Sequence, residues 1–205
     1  MSARGPFQDK PSIRVEALTL SRGQRVLFEG LSFAAASGAY VEVQGSNGSG
    51  KTSLLRAIAG LLRPRSGQVS IEGAPEPSLA LHYLGHANAL KRDASVREHL
   101  NYWAGLFGGA PSEDYVAQTF GLGRVMALPV RVLSQGQARR LALARLIVAP
   151  RPVWLLDEPA AALDEGGKAV LRELIASHRV SGGIAIAAVH EPLGAAPSQT
   201  IRVSA

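Results

Sequence analysis

The sequence contains no cysteine, which excludes a disulfide framework, a thiolate metal site and a cysteine nucleophile. It also lacks a long apolar run. The best stretch, Leu141–Ala149, is interrupted by Arg145 and falls far short of the ~20 residues a membrane-spanning helix needs. A channel of the chain's own is therefore not expected. Met1 to Pro11 carries charges but no apolar segment, so no secretory leader is expected either. Acidic residues are the scarcer charge, 16 against 22 Lys and Arg, for a net charge of +6. The arginines are dispersed, and only Arg63–Arg65 and Arg139–Arg140 approach clusters. Without a block of about five like charges, nucleic acid is not an expected partner. What is present, 205 residues with 46% apolar and 19% charged, is enough to bury a sizeable core.

The first third reads as strands. Ile13–Leu20 alternates apolar and polar residues, Arg25–Phe28 and Leu31–Phe33 follow across a turn at Glu29-Gly30, and Ala39–Gln44 runs into a glycine-rich loop. Thr52–Leu62 is predicted as a helix stopped by Pro64, with further strands at Gln68–Glu72 and Leu79–Leu84. From Ser95 the texture turns helical. Val96, Leu100, Trp103 and Phe107 form one apolar stripe, a second helix is predicted over Ser112–Phe120, and a third over Gln135–Val148 with Ser134 as its N-cap. Val153–Leu156 and Ile184–Val189 are short continuous apolar runs, the pattern of buried parallel strands, with a helix over Lys168–Arg179 between them. The order implies an α/β core with an inserted helical subdomain; with the loop Gly45–Thr52, whose residues fit G-x-x-x-x-G-K-[ST], the expected fold is a P-loop NTPase core with an antiparallel β edge. The expected division is a core of 1–86 and 151–205 around a helical insert of 87–150.

Gly45-Ser46-Asn47-Gly48-Ser49-Gly50-Lys51-Thr52 fits G-x-x-x-x-G-K-[ST] and lies between a predicted strand and a predicted helix. Glycines let backbone N–H groups curl around phosphate oxygens, and the helix N-terminus adds its positive dipole end. Lys51 is expected to reach the β- and γ-phosphates and Thr52 to ligate Mg²⁺. The loop alone leaves kinases, GTPases and many ATPases open. Asp157 and Glu158 end the apolar run Val153–Leu156, placing one carboxylate for Mg²⁺ and one to polarise an attacking water.

Leu133-Ser134-Gln135-Gly136-Gln137 narrows the choice. Here the chain resembles the ABC ATPase family, whose signature is Leu-Ser-Gly-Gly-Gln at a helix start; Gln135 replaces the first glycine. The resemblance implies a nucleotide site extending from Gly45 to Ser53, a D-loop carrying Asp164 and a switch histidine at His190. It also implies that Glu158, Lys51 and His190 are catalytic, and that Ser134 and Gly136 act on the γ-phosphate held by a second ATP-binding subunit, expected to be another copy of this chain. Integral membrane permease subunits are the other implied partner, ATP and Mg²⁺ the implied ligands, and the cytoplasmic face of a bacterial inner membrane the implied location.

Two positions depart from the family pattern. Where an aromatic residue commonly stacks on adenine the chain reads Ser21-Arg22-Gly23-Gln24-Arg25, leaving Arg22 or Arg25 to face the base. His86 stands at the Q-loop glutamine position, where an imidazole cannot reproduce the ligand geometry of an amide. Together with Leu27–Phe33, His82–Lys91, Arg97–Trp103 and the short length, this resembles the cytochrome c maturation (haem exporter) branch of the family and implies haem handling in c-type cytochrome biogenesis. A motor for another cargo shares every catalytic motif, and a soluble non-transport ABC ATPase is the alternative from a different class.

Overall fold

The computed structural model describes residues 7, 10–73, 80–109 and 112–204. These form two compact units. The first takes in the described residues up to Tyr83, then Arg151–Glu158 and those from Leu174; the second is Leu84–Pro150 with Pro159–Glu173. The second unit thus begins at Leu84 and claims Pro159–Glu173, which the sequence reading gives to the core.

In the first unit, β1 (Ser12–Arg22), β2 (Arg25–Ala36) and β4 (Ser66–Glu72) make an antiparallel sheet in the order β2-β1-β4. The inward residues of β1 are Ile13 and Val15, then Leu18 and Leu20. The period of two slips by one residue at Ala17, which takes φ 45 where the register shifts, so a bulge keeps both halves facing the core. The predicted turn at Glu29-Gly30 is a second bulge inside one continuous β2. Leu18 pairs with Leu31 and Leu20 with Phe28, so the extra residue lies on β2, with Gly30 at φ 64.

The second sheet runs β5-β6-β7-β3-β8, from β3 (Tyr40–Gln44), β5 (Leu81–Leu84), β6 (Val153–Asp157), β7 (Ile184–Val189) and β8 (Gln199–Arg202). Strand β3 pairs in parallel with both β7 and β8, and β6 pairs in parallel with β7. Every residue of β6 and β7 is buried, as parallel strands covered on both faces require. Of the expected strand Leu79–Leu84, Leu79 lies outside the described residues. Helix α1 (Lys51–Ile58) packs on β6 and β7, with Leu54, Leu55 and Ile58 buried in the same core as Leu155 and Ile186. It stops well before Pro64, because Gly60 at φ 73 turns the chain and Leu61 N–H returns to Arg56 O at 2.8 Å.

The second unit is built on α2 (Val96–Phe107), α3 (Glu113–Phe120), α4 (Gln135–Val148) and the start of α5 (Glu165–Val180). Hydroxyl caps set three of these starts, at Ser95, Ser112 and Ser134. Val96, Leu100 and Trp103 are buried and Phe107 half-buried, so the stripe on α2 is packed inward. Leu141–Leu146 of α4 supplies the facing surface, with Leu141, Leu143 and Leu146 buried.

Candidate functional site

Parallel pairing brings the ends of three strands of the first unit level: Gln44 opposes Val189, and Asp157 opposes Ala188. The carboxyl ends of parallel strands are where α/β sheets place ligands. From β3 the chain enters Gly45–Gly50 and then α1. Gly45 is dictated by its surroundings: a Cβ there would lie 2.3 Å from Val203 O and 2.5 Å from Ser49 Oγ. Val203, just past β8, also donates its N–H to Gln44 O at 2.9 Å, so the end of the chain buttresses the loop from 159 residues away.

Lys51 is nearly buried and donates through Nζ to Gly45 O at 2.6 Å and Ser46 O at 3.2 Å. Thr52 Oγ1 lies 3.0 Å from both carboxylate oxygens of Asp157, which is 1% exposed. A hydroxyl beside a buried carboxylate is a hard-oxygen donor pair, of the kind that holds Mg²⁺ together with phosphate oxygens. Among the described residues there is no group of three or more His, Cys, Asp or Glu that could hold a metal ion.

Glu158 follows with φ 49, a left-handed conformation uncommon outside glycine and often retained at functional positions. It is held from both sides. Its N–H donates to Ala188 O at 2.9 Å, and its Oε2 accepts the backbone N–H of His190 at 3.2 Å. His190 itself is exposed, leaving its ring open to solvent.

The buried Glu42, in the middle of β3, escapes sequence reasoning. Its carboxylate accepts from Tyr40 Oη at 2.8 Å, Gln44 Nε2 at 3.0 Å and Leu193 N at 3.1 Å. Burial, with the hydrogen bond to Glu42 second, holds the Tyr40 phenol well above its ordinary range. Glu42 therefore ties the turn after His190 to the strand that feeds the phosphate loop. The available signal was an acidic residue inside a strand otherwise reading as fully buried.

In the second unit the signature opens α4. Ser134 Oγ accepts from Gln137 N at 3.1 Å and Gln137 Oε1 accepts from Ser134 N at 2.9 Å, a reciprocal capping box. Gln135 is exposed, so a side chain fits where the family pattern has its first glycine. Gly136 has no such freedom, since a Cβ would sit 3.0 Å from Ala162 O. Asp164 Oδ1 accepts from Arg140 Nη2 and from Gly167 N at 2.8 Å, capping α5; the Arg140 guanidinium first, then the Gly167 amide, holds its carboxyl below the usual range. His86 is exposed on the turn after β5. Arg22 and Arg25 oppose each other, both exposed, across the β1–β2 hairpin.

A groove of about 530 Å³ on the same unit is lined by Ala89, Lys91, Ala94, Glu98, His99, Tyr102 and Trp103. His99 Nε2 accepts Lys91 N–H at 3.0 Å, which leaves Nδ1–H to donate to Ser95 O at 2.9 Å. Trp103 sits edge-on to that ring at 5.6 Å. Trp103 is thus both core and groove wall, being 5% exposed, while Tyr102 stands 63% exposed at the rim.

Residues 28–161 match the family described as ABC transporter. The chain is 43% identical over 201 residues to the cytochrome c biogenesis ATP-binding export protein CcmA of Rhizobium meliloti (strain 1021), covering 94% of this chain and 97% of the relative. It is 49% identical over 177 residues to the protein of the same name from Rhodopseudomonas palustris (strain HaA2), covering 84% and 88%. Among solved structures it is similar to an ABC transporter ATP-binding protein from Pyrococcus furiosus, with a TM-score of 0.81 at 23% identity over 94% of this chain and 97% of that one. A bacterial Atm1-family ABC exporter with ATP bound gives a TM-score of 0.77 at 22% identity, over 89% of this chain and 35% of that one. These two structural likenesses bear on the fold alone.

Proposed function

The chain belongs to the ABC transporter family of ATP-binding proteins, and on that premise we propose that it is the ATP-hydrolysing subunit of a membrane complex serving haem handling in c-type cytochrome biogenesis. The observation that carries the ATPase chemistry is the convergence of Lys51, Thr52, Asp157, Glu158 and the His190 backbone at the ends of β3, β6 and β7. Lys51 would exchange its two loop carbonyls for phosphate oxygens, and the loop N–H groups would cradle the rest. Thr52 and Asp157 would hold Mg²⁺, which supplies charge neutralisation between phosphate oxygens. Glu158, fixed through its Oε2, would orient water toward the γ-phosphate, with the His190 ring beside it.

The signature is read as acting on nucleotide bound by a second copy. A helix N-terminus with a hydroxyl cap suits an anion, and Ser134 is exposed there. Among the described residues no helix is long and apolar enough to cross a membrane, so the membrane component is taken to be a separate permease. The groove beside Tyr102 and Trp103 supports its docking, since an aromatic wall with a charged rim fits an amphipathic partner helix. The relatives' printed name, cytochrome c biogenesis ATP-binding export protein, supports the pathway, and the cytoplasmic face of a bacterial inner membrane is the location this reading assigns.

Haem staining of denatured membrane and periplasmic fractions, in which only covalently bound haem survives, tests the pathway. Deleting the gene is expected to abolish covalent haem, with rescue by the wild-type chain and not by Lys51→Ala. Normal covalent haem in the deletion strain would refute the pathway while leaving the ATPase reading intact.

A further inference from the structure

Arg139, one of a sequence pair that looks like a minor charge cluster, is only 2% exposed. It projects from the second turn of the signature helix α4, and its guanidinium addresses two separate loops of the second unit. Nε donates to Pro159 O at 3.1 Å, while Nη1 donates to Gly85 O at 3.1 Å and to Asn88 Oδ1 at 2.9 Å. Gly85 and Asn88 bracket His86, and Pro159 opens the loop that leads to Asp164.

Each loop carries a residue in a strained backbone conformation. The first contains Ala89 at φ 52 and the second Ala162 at φ 62; a non-glycine residue stays in that region only when its surroundings hold it. The second loop is held to α4 twice more, by the Arg140–Asp164 ion pair and by the close approach of Gly136 to Ala162 O. A planar guanidinium can serve two loops at once because its donors diverge in a fixed fork, which an ammonium cannot imitate.

We infer that Arg139 is a positioning residue that joins the His86 turn and the Pro159–Asp164 loop to the signature helix as one rigid piece. Any displacement of the signature then carries His86 and Asp164 with it, so the three elements answer to nucleotide together. This rests on the ATPase reading for its consequence in turnover, but not for its structural content.

The test uses Arg139→Gln, Arg139→Lys and Asn88→Ala in the whole chain. Backbone order parameters measured without nucleotide should fall in Arg139→Gln from about 0.85 to below about 0.6 at residues 85–89 and at 159–163 together. Asn88→Ala, which removes one acceptor and no charge, should loosen 85–89 alone. Arg139→Lys should behave as Arg139→Gln, because the fork and not the charge is required. In ATP hydrolysis the Arg139 variants should lose about tenfold in kcat while KM stays within about twofold, the pattern of a lost transition-state arrangement with nucleotide binding intact. Loss of order in only one loop, or wild-type behaviour of Arg139→Lys, would overturn the inference, as would full kcat with both loops loosened. Because the order parameters are measured without nucleotide, they stand or fall independently of whether the chain hydrolyses ATP.

Discussion

Acid should weaken this protein through His178, near the end of α5. The ring is 6% exposed and lies flat on Trp154, with centroids 3.7 Å apart and planes 8° apart. Phe7 meets it edge-on at 5.6 Å, and Nε2 faces Ile184 O at 3.3 Å. The backbone gives it no slack, since a Cβ on Gly183 would lie 2.2 Å from the ring. Burial pushes the imidazole down to about 4, against hydrogen bonds to the Ile184 and Pro152 carbonyls that pull the other way. The unfolded chain titrates near 6.5 and takes up the proton first as pH falls. The contribution is therefore complete above about pH 6.5 and is lost on the way down to about pH 4. Linkage puts the loss at about 2 kcal/mol by about pH 5 and about 3 kcal/mol by about pH 4. Urea unfolding of the wild type and of His178→Phe, which fills the same space without titrating, isolates the contribution of this ring. The wild type should lose about 2 kcal/mol more than the variant between about pH 7.5 and about pH 5, or roughly 4–8 °C in Tm for a chain of this size. Parallel stability–pH curves for the two proteins would show that the ring does not stay neutral in the fold.

Two further outcomes follow from the site. Glu158→Gln should retain ATP binding but lose ~10²–10³ in steady-state hydrolysis, whereas Lys51→Ala should fail at nucleotide binding; equilibrium binding and single-turnover assays separate the two, and undiminished turnover by Glu158→Gln would remove it from the role of water-orienting base. Gly136→Ala must push back the Ala162 carbonyl and should cost about tenfold or more in kcat, while Gln135→Ala, changing an exposed side chain, should stay within about threefold. Equal effects at the two positions, measured as kcat under saturating ATP, would mean that the close approach at Gly136 is not what the signature requires.

The parts of this protein legible in its sequence are those whose causes lie within a few residues. Gly45–Thr52 declares a phosphate loop because its glycines and its Lys-Thr pair are contiguous, and α4 opens at Ser134 because a hydroxyl cap answers Gln137 three residues on. Strand β7 spans the apolar run Ile184–Val189 from end to end. The Glu29-Gly30 turn misreads a local signal that the fold overrides by pairing β2 along all of β1, whereas the Pro64 stop overlooks a nearer local signal, Gly60, which closes α1 after Ile58. Other features depend on residues far along the chain. Strand β8 is held by pairing with β3, Gln199 opposite Val41. Glu42 has donors two residues away in Tyr40 and Gln44, but its third comes from Leu193, 151 residues on, and Arg139 is buried because Gly85, Asn88 and Pro159 give it acceptors. A charged side chain enters a protein interior only when distant groups solvate it in place of water, and which groups those are is settled when the chain has closed upon itself.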